Sequence, residues 1–522
     1  MLHTLFRVER QPDGLGPLAA RDYLFAALGF VLAATLCWWR DLTALPLLLD
    51  NQHYFYIAER AASGVAPHVS HFDPKHALSM LVTAAAIVVG RAFDVSDLMS
   101  ARAVSVCAAG AAVALTWLVA RLLTGRRLPA HLAALAMLTF HRYFFMAAVG
   151  ARPKVFMVPL ELAAVLAVAG GRWFWAGVFS SLAFLCWQPA IIFIAAAGLV
   201  ILTRTERWPA LAAFAAAVLG VNVIYEAYFV YHGALAEQLE QSYFFPSVYM
   251  QSSFPPDLDI MIRRTRMIFG LRGSLAPGFV VRIAALVGIV AFWAGCVVRP
   301  RRAPRFAVEQ PGWLYVMICV HAAWLLTVSN YQGYPDEFIV LPLLALLAGV
   351  TLAVPCELSP RAAPAWLRPA ISLVLVLVLV TAIGKGLPRD KGSDRLRGQY
   401  RLADRVAEFL DSGLSVYASG CTHLLAFNHA DNFVRYGFYF RGFDRYMRDQ
   451  GFRNGHPFRN GELPDVILGS RTRFRRDHGW LGKHYDNRTP LAFDRQGISV
   501  WRRRSAARER PSPDSPATAT PT

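Results

Sequence analysis

Apolar stretches about twenty residues long recur along this chain, and they limit its fold more than any other feature. A run of that length is what a helix needs to cross the ~30 Å hydrocarbon core of a bilayer. The 522 residues are 55% hydrophobic and only 17% charged, whereas soluble globular proteins carry about 25% charge. Mean hydropathy is +0.37. A membrane β-barrel would show short alternating segments instead, so the chain reads as an α-helical polytopic membrane protein. The apolar runs predict about eleven transmembrane helices, over 22–39, 77–93, 100–120, 130–148, 155–170, 173–202, 209–231, 276–298, 312–329, 338–355 and 369–387. The first run ends in Trp38-Trp39-Arg40-Asp41, an interfacial anchor with no small-residue cleavage pattern, and therefore reads as a retained helix.

The formal net charge is +18, nearly all of it from arginine. On a soluble protein this would point to nucleic acid. Beside a membrane the expected partners are anionic lipid phosphates, and no nucleic acid is expected. "RPRRAPR", 299–305, places four arginines in one short loop, which the positive-inside rule assigns to the cytoplasm. Arg204, Arg207, Arg361 and Arg368 fall on the same side by alternation. The N-terminus, 1–21, is then cytoplasmic, and 40–76, 232–275, 330–337 and everything after 388 lie outside. Arg121, Arg126 and Arg127 fall on the outer side by this count, against the rule.

The 22–387 segment thus reads as a membrane domain with two long outer loops, 40–76 and 232–275. The segment 388–503 reads as a small α/β domain on the outer face. Within it 395–410 is helix-periodic, "LSVYAS" (414–419) and "PDVILGS" (464–470) are strands, and "LAFDRQGISVWRR" (491–503) looks like a closing hairpin. The Ser/Pro/Ala/Thr-rich 504–522 reads as a disordered tail. Seven cysteines occur without a CxxC pair, so neither a disulfide framework nor a zinc knuckle is predicted. No Walker motif, HExxH or GxSxG in a suitable context appears, and no soluble nucleotide cofactor is indicated.

The chemistry concentrates in the first outer loop. Asp50 reads either as the cap of a helix ending near Gly64 or as a general base. Lys75, in "FDPKHAL", suits a lipid phosphate or a helix-end lysine reaching for the interface. His68, His71, Asp73 and His76 could bind a divalent metal, though their spacing matches no defined metal motif. In 232–275 aromatic residues mix with Arg263, Arg264, Arg266 and Arg272, as in an interfacial element or the wall of a sugar or phosphate site. Tyr331, Tyr334, Asp336 and Glu337 stand at the mouth of a later helix, where they could line the same cavity or form an aromatic belt.

"DNQHYFYIAERAASGVAP" (50–67) followed by "FDPKH" (72–76) resembles the first outer loop of the GT-C membrane glycosyltransferases, closest to the protein mannosyltransferase and lipid A aminoarabinose transferase branch. "VVGRAFDVSDLMSARAVSV" (88–106) and "WFWAGVFSSLAFLCWQPAII" (173–192) are similar to two further segments of that group. Asn51 stands where some members have a second acid, and His76-Ala77 replaces Pro-Pro. The resemblance implies inverting transfer of a sugar from a polyprenyl-phosphate donor to an envelope glycan, lipid or protein, at the periplasmic face of a bacterial inner membrane. On it, Asp50 would activate the acceptor hydroxyl, and Lys75 and Arg102 would meet the donor phosphate, aided by Arg263 and Arg264. Read from the residues themselves, Tyr54, Asp73, His76, Tyr331 and Asp336 line the substrate cavity, and a divalent metal at His68 and His71 is an optional cofactor. The other readings are a flippase for a lipid-linked glycan and a membrane scaffold. A flippase would place acids and arginines at mid-span, whereas here they cluster in the outer loops.

Overall fold

The computed structural model describes residues 18–48, 50–250, 257–269, 278–298, 310–357, 364, 366–385, 395–438, 440–452, 458, 462–470, 478–495 and 497–504. The arginine loop 299–305 and the 505–522 stretch of the tail lie outside these. The chain divides into two compact units, Met1–Arg397 and Gly398–Thr522.

The first unit is helical. Its elements are α1 Ala20–Trp38, α2 Asp50–Ala62, α3 Leu78–Arg91, α4 Asp97–Thr124, α5 Arg127–Leu138, α6 His141–Val149, α7 Pro153–Ala169, α8 Trp173–Cys186, α9 Ile191–Leu202 and α10 Arg207–Tyr231. After three short helical segments, Leu235–Leu239, Glu240–Phe244 and Phe245–Tyr249, come α11 Leu258–Ile268, α12 Phe279–Val298, α13 Pro311–Ser329, α14 Leu341–Glu357 and α15 Leu367–Lys385. Among the described residues six helices are long and apolar enough to cross a membrane, or seven if α5 and α6, bent by 60° at their break, form one span. The unit is therefore multi-pass, but helix length alone does not reach the expected count of about eleven. Packing is close where small residues meet: a Cβ on Gly349 of α14 would lie 2.5 Å from Ala133 of α5, so these two helices touch at the backbone.

Two expected spans come out differently. The 77–93 run folds as α3, whose 14 residues rise only ~21 Å, short of the hydrocarbon core. It lies alongside α2: Arg91 at its end bonds the buried Glu59 of α2 at 3.0 Å and Asp97 at the start of α4 at 2.7 Å. The 173–202 run is broken at Trp187, where a single 3₁₀ turn, Gln188–Ala190 with Pro189 at its centre, separates α8 from α9. Proline lacks the N–H that would continue the ladder.

The expected alternation put the start of α1 and the end of α4 at opposite ends of the bundle, and ion pairs bring them together instead. The buried Asp22 in the first turn of α1 pairs with Arg121 at 3.6 Å and Arg127 at 3.2 Å. The end of α4 and the start of α5 thus sit beside the chain's first helix start. Gly312, opening α13, packs against Leu123 and Ala169 at that same end. The opposite end holds Asp50, Arg102, Gly150, Arg152 and Asp336. An inner location for the Asp22 end puts Arg121, Arg126, Arg127 and Arg172 with Arg204 and Arg207, as the positive-inside rule requires. A cysteine placed at the exposed Arg172 in a cysteine-free chain is then expected to react with an impermeant thiol reagent only once the cytoplasmic face is opened. Labelling of intact cells would reverse the orientation.

In the second unit, after α16 (Arg395–Asp411), the strands β1 Val416–Ser419, β2 Val466–Ser470, β3 Tyr485–Asn487 and β4 Ile498–Arg503 form a sheet in the order β1-β2-β4-β3. β1 and β2 are parallel and the other pairs antiparallel. Tyr417, Ile467, Leu481, Tyr485 and Trp501 make its core. The hairpin expected over 491–503 is instead a short helix, Leu491–Arg495, followed by β4. Strand β4 pairs with β2 and β3, whose residues supply its neighbours from earlier in the chain.

Candidate functional site

Asp50 is the first residue of α2, where an acid favours the helix dipole. Its Oδ2 accepts from Arg152 Nη2 at 2.9 Å, while the side chain keeps 36% exposure. Burial pushes its carboxyl up, but Arg152, Lys75, His53 and Lys154 outweigh this and hold it below the ordinary aspartate value. The group is a carboxylate with one oxygen still able to take a proton.

Arg152 is placed by the turn between α6 and α7. Gly150 has φ +97°, and a Cβ there would press on Arg102 Cγ at 3.1 Å. Ala151 also has a positive φ, 38°, and its amide donates to Ser105 Oγ at 3.0 Å. Such backbone is rare for alanine and persists where surrounding bonds over-determine it. Asn51 donates to Gly150 O, and Arg152 Nη1 donates to Asn51 Oδ1 at 3.2 Å. The asparagine in place of a second acid therefore ties the turn to α2.

Lys75 stands across from this pair. Its Nζ is 3.9 Å from Asp73 Oδ1 and 5.1 Å from the centroid of Tyr54. Burial pushes the ammonium down, yet Tyr54, Asp73 and Asp50 more than compensate and raise it above the ordinary lysine value. Asp73 is fully buried, and its Oδ1 accepts the Lys75 amide at 3.0 Å. Burial raises the Asp73 carboxyl, but Lys75 and His53 override it and the group lies well below the usual range. His53 is buried 3.6 Å from Asp73 Oδ2, and burial keeps its ring below the ordinary histidine value despite that acid.

A second charged layer adjoins the first. Lys154 on α7 pairs with Asp336 of the 3₁₀ turn Tyr334–Ile339 and lies 4.1 Å from the Trp187 centroid. Asp336 Oδ2 also accepts from the Gln332 and Gly333 amides at 2.6 and 3.2 Å. The next residue, Glu337, turns away to Arg282 at 2.9 Å and accepts from Tyr331 OH at 3.1 Å.

Asp50, Tyr54, Asp73 and Lys75 are thus brought together, while several other expected residues stand elsewhere. Arg102 is fully buried and donates to the carbonyls of Val149, Leu42 and Leu45, so a backbone clamp takes up the guanidinium expected at a phosphate. Arg264 donates to Val328 O and Ser329 O at the end of α13, where the helix dipole favours a cation. Arg263 is exposed on α11. His76 does not face an open cavity: it is fully buried among Phe184, Tyr225 and Tyr243, and burial lowers it to about 3. His68 bonds Gln241, and His71 stacks on His53 with centroids 5.4 Å apart. Among the described residues neither belongs to a group of three donors close enough to hold one ion.

Sequence reading missed Arg152, Lys154 and Gln241. Two cations in the first turn of a helix, as in "ARPKVF", oppose the dipole, and that conflict was the available signal.

No family model and no curated protein sequence matches the chain. Its fold does match solved structures. ArnT from Cupriavidus metallidurans bound to undecaprenyl phosphate aligns over 94% of this chain and 99% of its own, at 14% identity and TM-score 0.58. An Archaeoglobus fulgidus oligosaccharyltransferase in complex with zinc and sulfate aligns over 92% of this chain and 73% of its own, at 12% identity and TM-score 0.56. The archaeal oligosaccharyltransferase AglB from Archaeoglobus fulgidus, in complex with an inhibitory peptide and a dolichol-phosphate, covers 93% of this chain and 75% of its own, at 11% identity and TM-score 0.54. The chain has the fold of the GT-C polytopic membrane glycosyltransferases.

Proposed function

We propose that this chain is an inverting glycosyltransferase that moves a sugar from a polyprenyl-phosphate donor to an envelope acceptor at the outer face of a bacterial inner membrane. One observation carries the reading: Asp50, held by Arg152 at 2.9 Å with its side chain still 36% exposed, shares one electrostatic cluster with Lys75, whose Nζ lies 3.9 Å from the buried Asp73. Its fold neighbours include a protein bound to undecaprenyl phosphate and another bound to a dolichol-phosphate.

In the proposed reaction an acceptor hydroxyl attacks the anomeric carbon while Asp50 takes its proton. The bond from the anomeric carbon to the phosphate oxygen breaks, and the polyprenyl phosphate leaves with the electron pair. Lys75 neutralises the charge that grows on that oxygen, supported by the positive field of Arg152. Arg152 also holds the orientation of Asp50 and keeps it ionised. Every cation in this scheme belongs to the chain. No step of it draws on a metal at His68 and His71; His68 Nδ1 contacts Gln241 and the His71 ring stacks on His53.

The pH dependence follows from the signs. Asp50 is depressed, so its basic form is lost only as pH falls below the ordinary aspartate range. Lys75 is raised, so its charge is lost only above the ordinary lysine range. Transfer is expected to stay level between about pH 5 and 9. A bell centred near neutrality would instead assign the base to another group.

The reading is tested by comparing envelope glycans with and without the protein by mass spectrometry. A missing sugar substituent is expected, and unchanged glycans would favour the scaffold. Purified protein should also release polyprenyl phosphate from a polyprenyl-phosphate sugar only when an acceptor is present.

A further inference from the structure

A rare element remains unexplained by this reaction: the π-helical turn Glu240–Phe244 in the second outer loop. The π-helix appears mostly as a single turn at functional places. In this turn two successive side chains, Gln241 and Ser242, both reach the first outer loop. The Gln241 Oε1 accepts from the Asp73 amide at 2.9 Å and contacts His68 Nδ1 at 3.2 Å, while Nε2 donates to His68 O at 2.8 Å. Ser242 Oγ donates to Lys75 O at 3.3 Å. Gln188, in the break between α8 and α9, donates to Pro74 O at 2.6 Å and Ser242 O at 3.2 Å. Gln241 is fully buried and Ser242 nearly so.

We infer that Gln241 is a positioning residue for Lys75, making the second outer loop part of the donor-phosphate site. The amide bonds the loop backbone at residues 68 and 73, closing it on itself. Asp73, held by its amide, then caps Lys75 and pairs with its ammonium. The reach of that ammonium is therefore set from the second loop. A carboxamide matters here because its donor and acceptor sit on one rigid plane, matching a carbonyl and an amide at the same time. The inference rests on Lys75 as the phosphate partner in the proposed function.

The test measures binding of undecaprenyl phosphate by the full chain in nanodiscs. The proteins are wild type, Lys75→Ala, Gln241→Ala, Gln241→Glu and the Lys75→Ala/Gln241→Ala pair, with Val248→Ala as a control on the same segment. Gln241→Ala is expected to weaken binding about ten-fold, the scale of one lost buried hydrogen-bond set. Gln241→Glu keeps the acceptor oxygen and should fall between wild type and Gln241→Ala, and it serves if the alanine variant does not fold. The double variant should bind no more weakly than Lys75→Ala alone, because Gln241 acts through Lys75. Losses that multiply would make Gln241 a general structural support and overturn the inference. So would wild-type binding by Gln241→Ala while Lys75→Ala fails. A wild-type protein that does not bind the lipid overturns the donor reading itself.

Discussion

Replacing Asp50 with asparagine is expected to cut sugar transfer by about 10²–10⁴-fold, the range of a lost general base, while leaving lipid-phosphate binding nearly intact. Asparagine keeps the shape and can still meet Arg152 through its carbonyl oxygen, so the α6–α7 turn should hold. What disappears is the site for the acceptor proton. The effect should therefore fall on kcat, with little change in the donor KM. Lys75→Ala should do the reverse in part, since it removes charge from the leaving group and from bound donor alike. The measurement is initial rate against donor concentration with purified Asp50→Asn. A variant that keeps more than a tenth of wild-type turnover would remove Asp50 from the base role. Asp50→Glu, which retains a carboxylate at greater reach, should recover part of the activity.

Asp50 and Lys75 were legible because titratable residues in a loop between apolar runs stand out against their surroundings. Arg152 and Lys154 were not, and the reason is directional. Hydropathy measures the length of an apolar run and carries no information about which way it points. The 77–93 run is apolar enough to be counted as a span, but Arg91 is drawn to Glu59 and Asp97, and the helix lies beside α2 instead. The 173–202 run was long enough to hide the break at Trp187–Pro189. The expected alternation set α1 and α4 running in the same direction, whereas the pairing of Asp22 with Arg121 and Arg127 sets the start of α1 beside the end of α4. That alternation put 149–154 at the end away from Asp50, which is why Arg152, bonded to Asp50, and Lys154, bonded to Asp336, were not weighed with it. The three arginines that broke the positive-inside rule were the visible symptom, and Asp22 explains them.

Arg102 illustrates a different limit. A fully buried arginine and a phosphate-binding arginine read alike in a sequence, because each needs acceptors that come from distant segments. Its acceptors are the carbonyls of 42, 45 and 149, which no local pattern announces. The clamp it forms joins the loop before α2 to the turn before α7, so it governs where Asp50 and Arg152 meet. Its contribution to the site is made through the backbone.

Lys154 carries the second large effect, and here the expectation concerns stability. Lys154 and Asp336 are 9% and 5% exposed. Lys154→Met should destabilise the membrane domain by about 3–5 kcal/mol, because it leaves a buried carboxylate with only the Gln332 and Gly333 amides for partners. The paired replacement Lys154→Met/Asp336→Leu removes both charges and should return most of that loss. Thermal unfolding of the detergent-purified proteins, followed by Trp fluorescence, would show the single variant melting early and the pair melting near wild type. Transfer separates the two roles the pair could play. Lys154 contributes less to the Asp50 carboxylate than Arg152 or Lys75 do, and its ammonium is engaged by Asp336. The double variant should therefore regain transfer to within about one order of magnitude of wild type, as expected for a pair that fastens the 334–339 turn to α7. If stability returns and transfer does not, Lys154 is a third cation for the leaving phosphate, and Asp336 is the counter-ion that holds it in reserve.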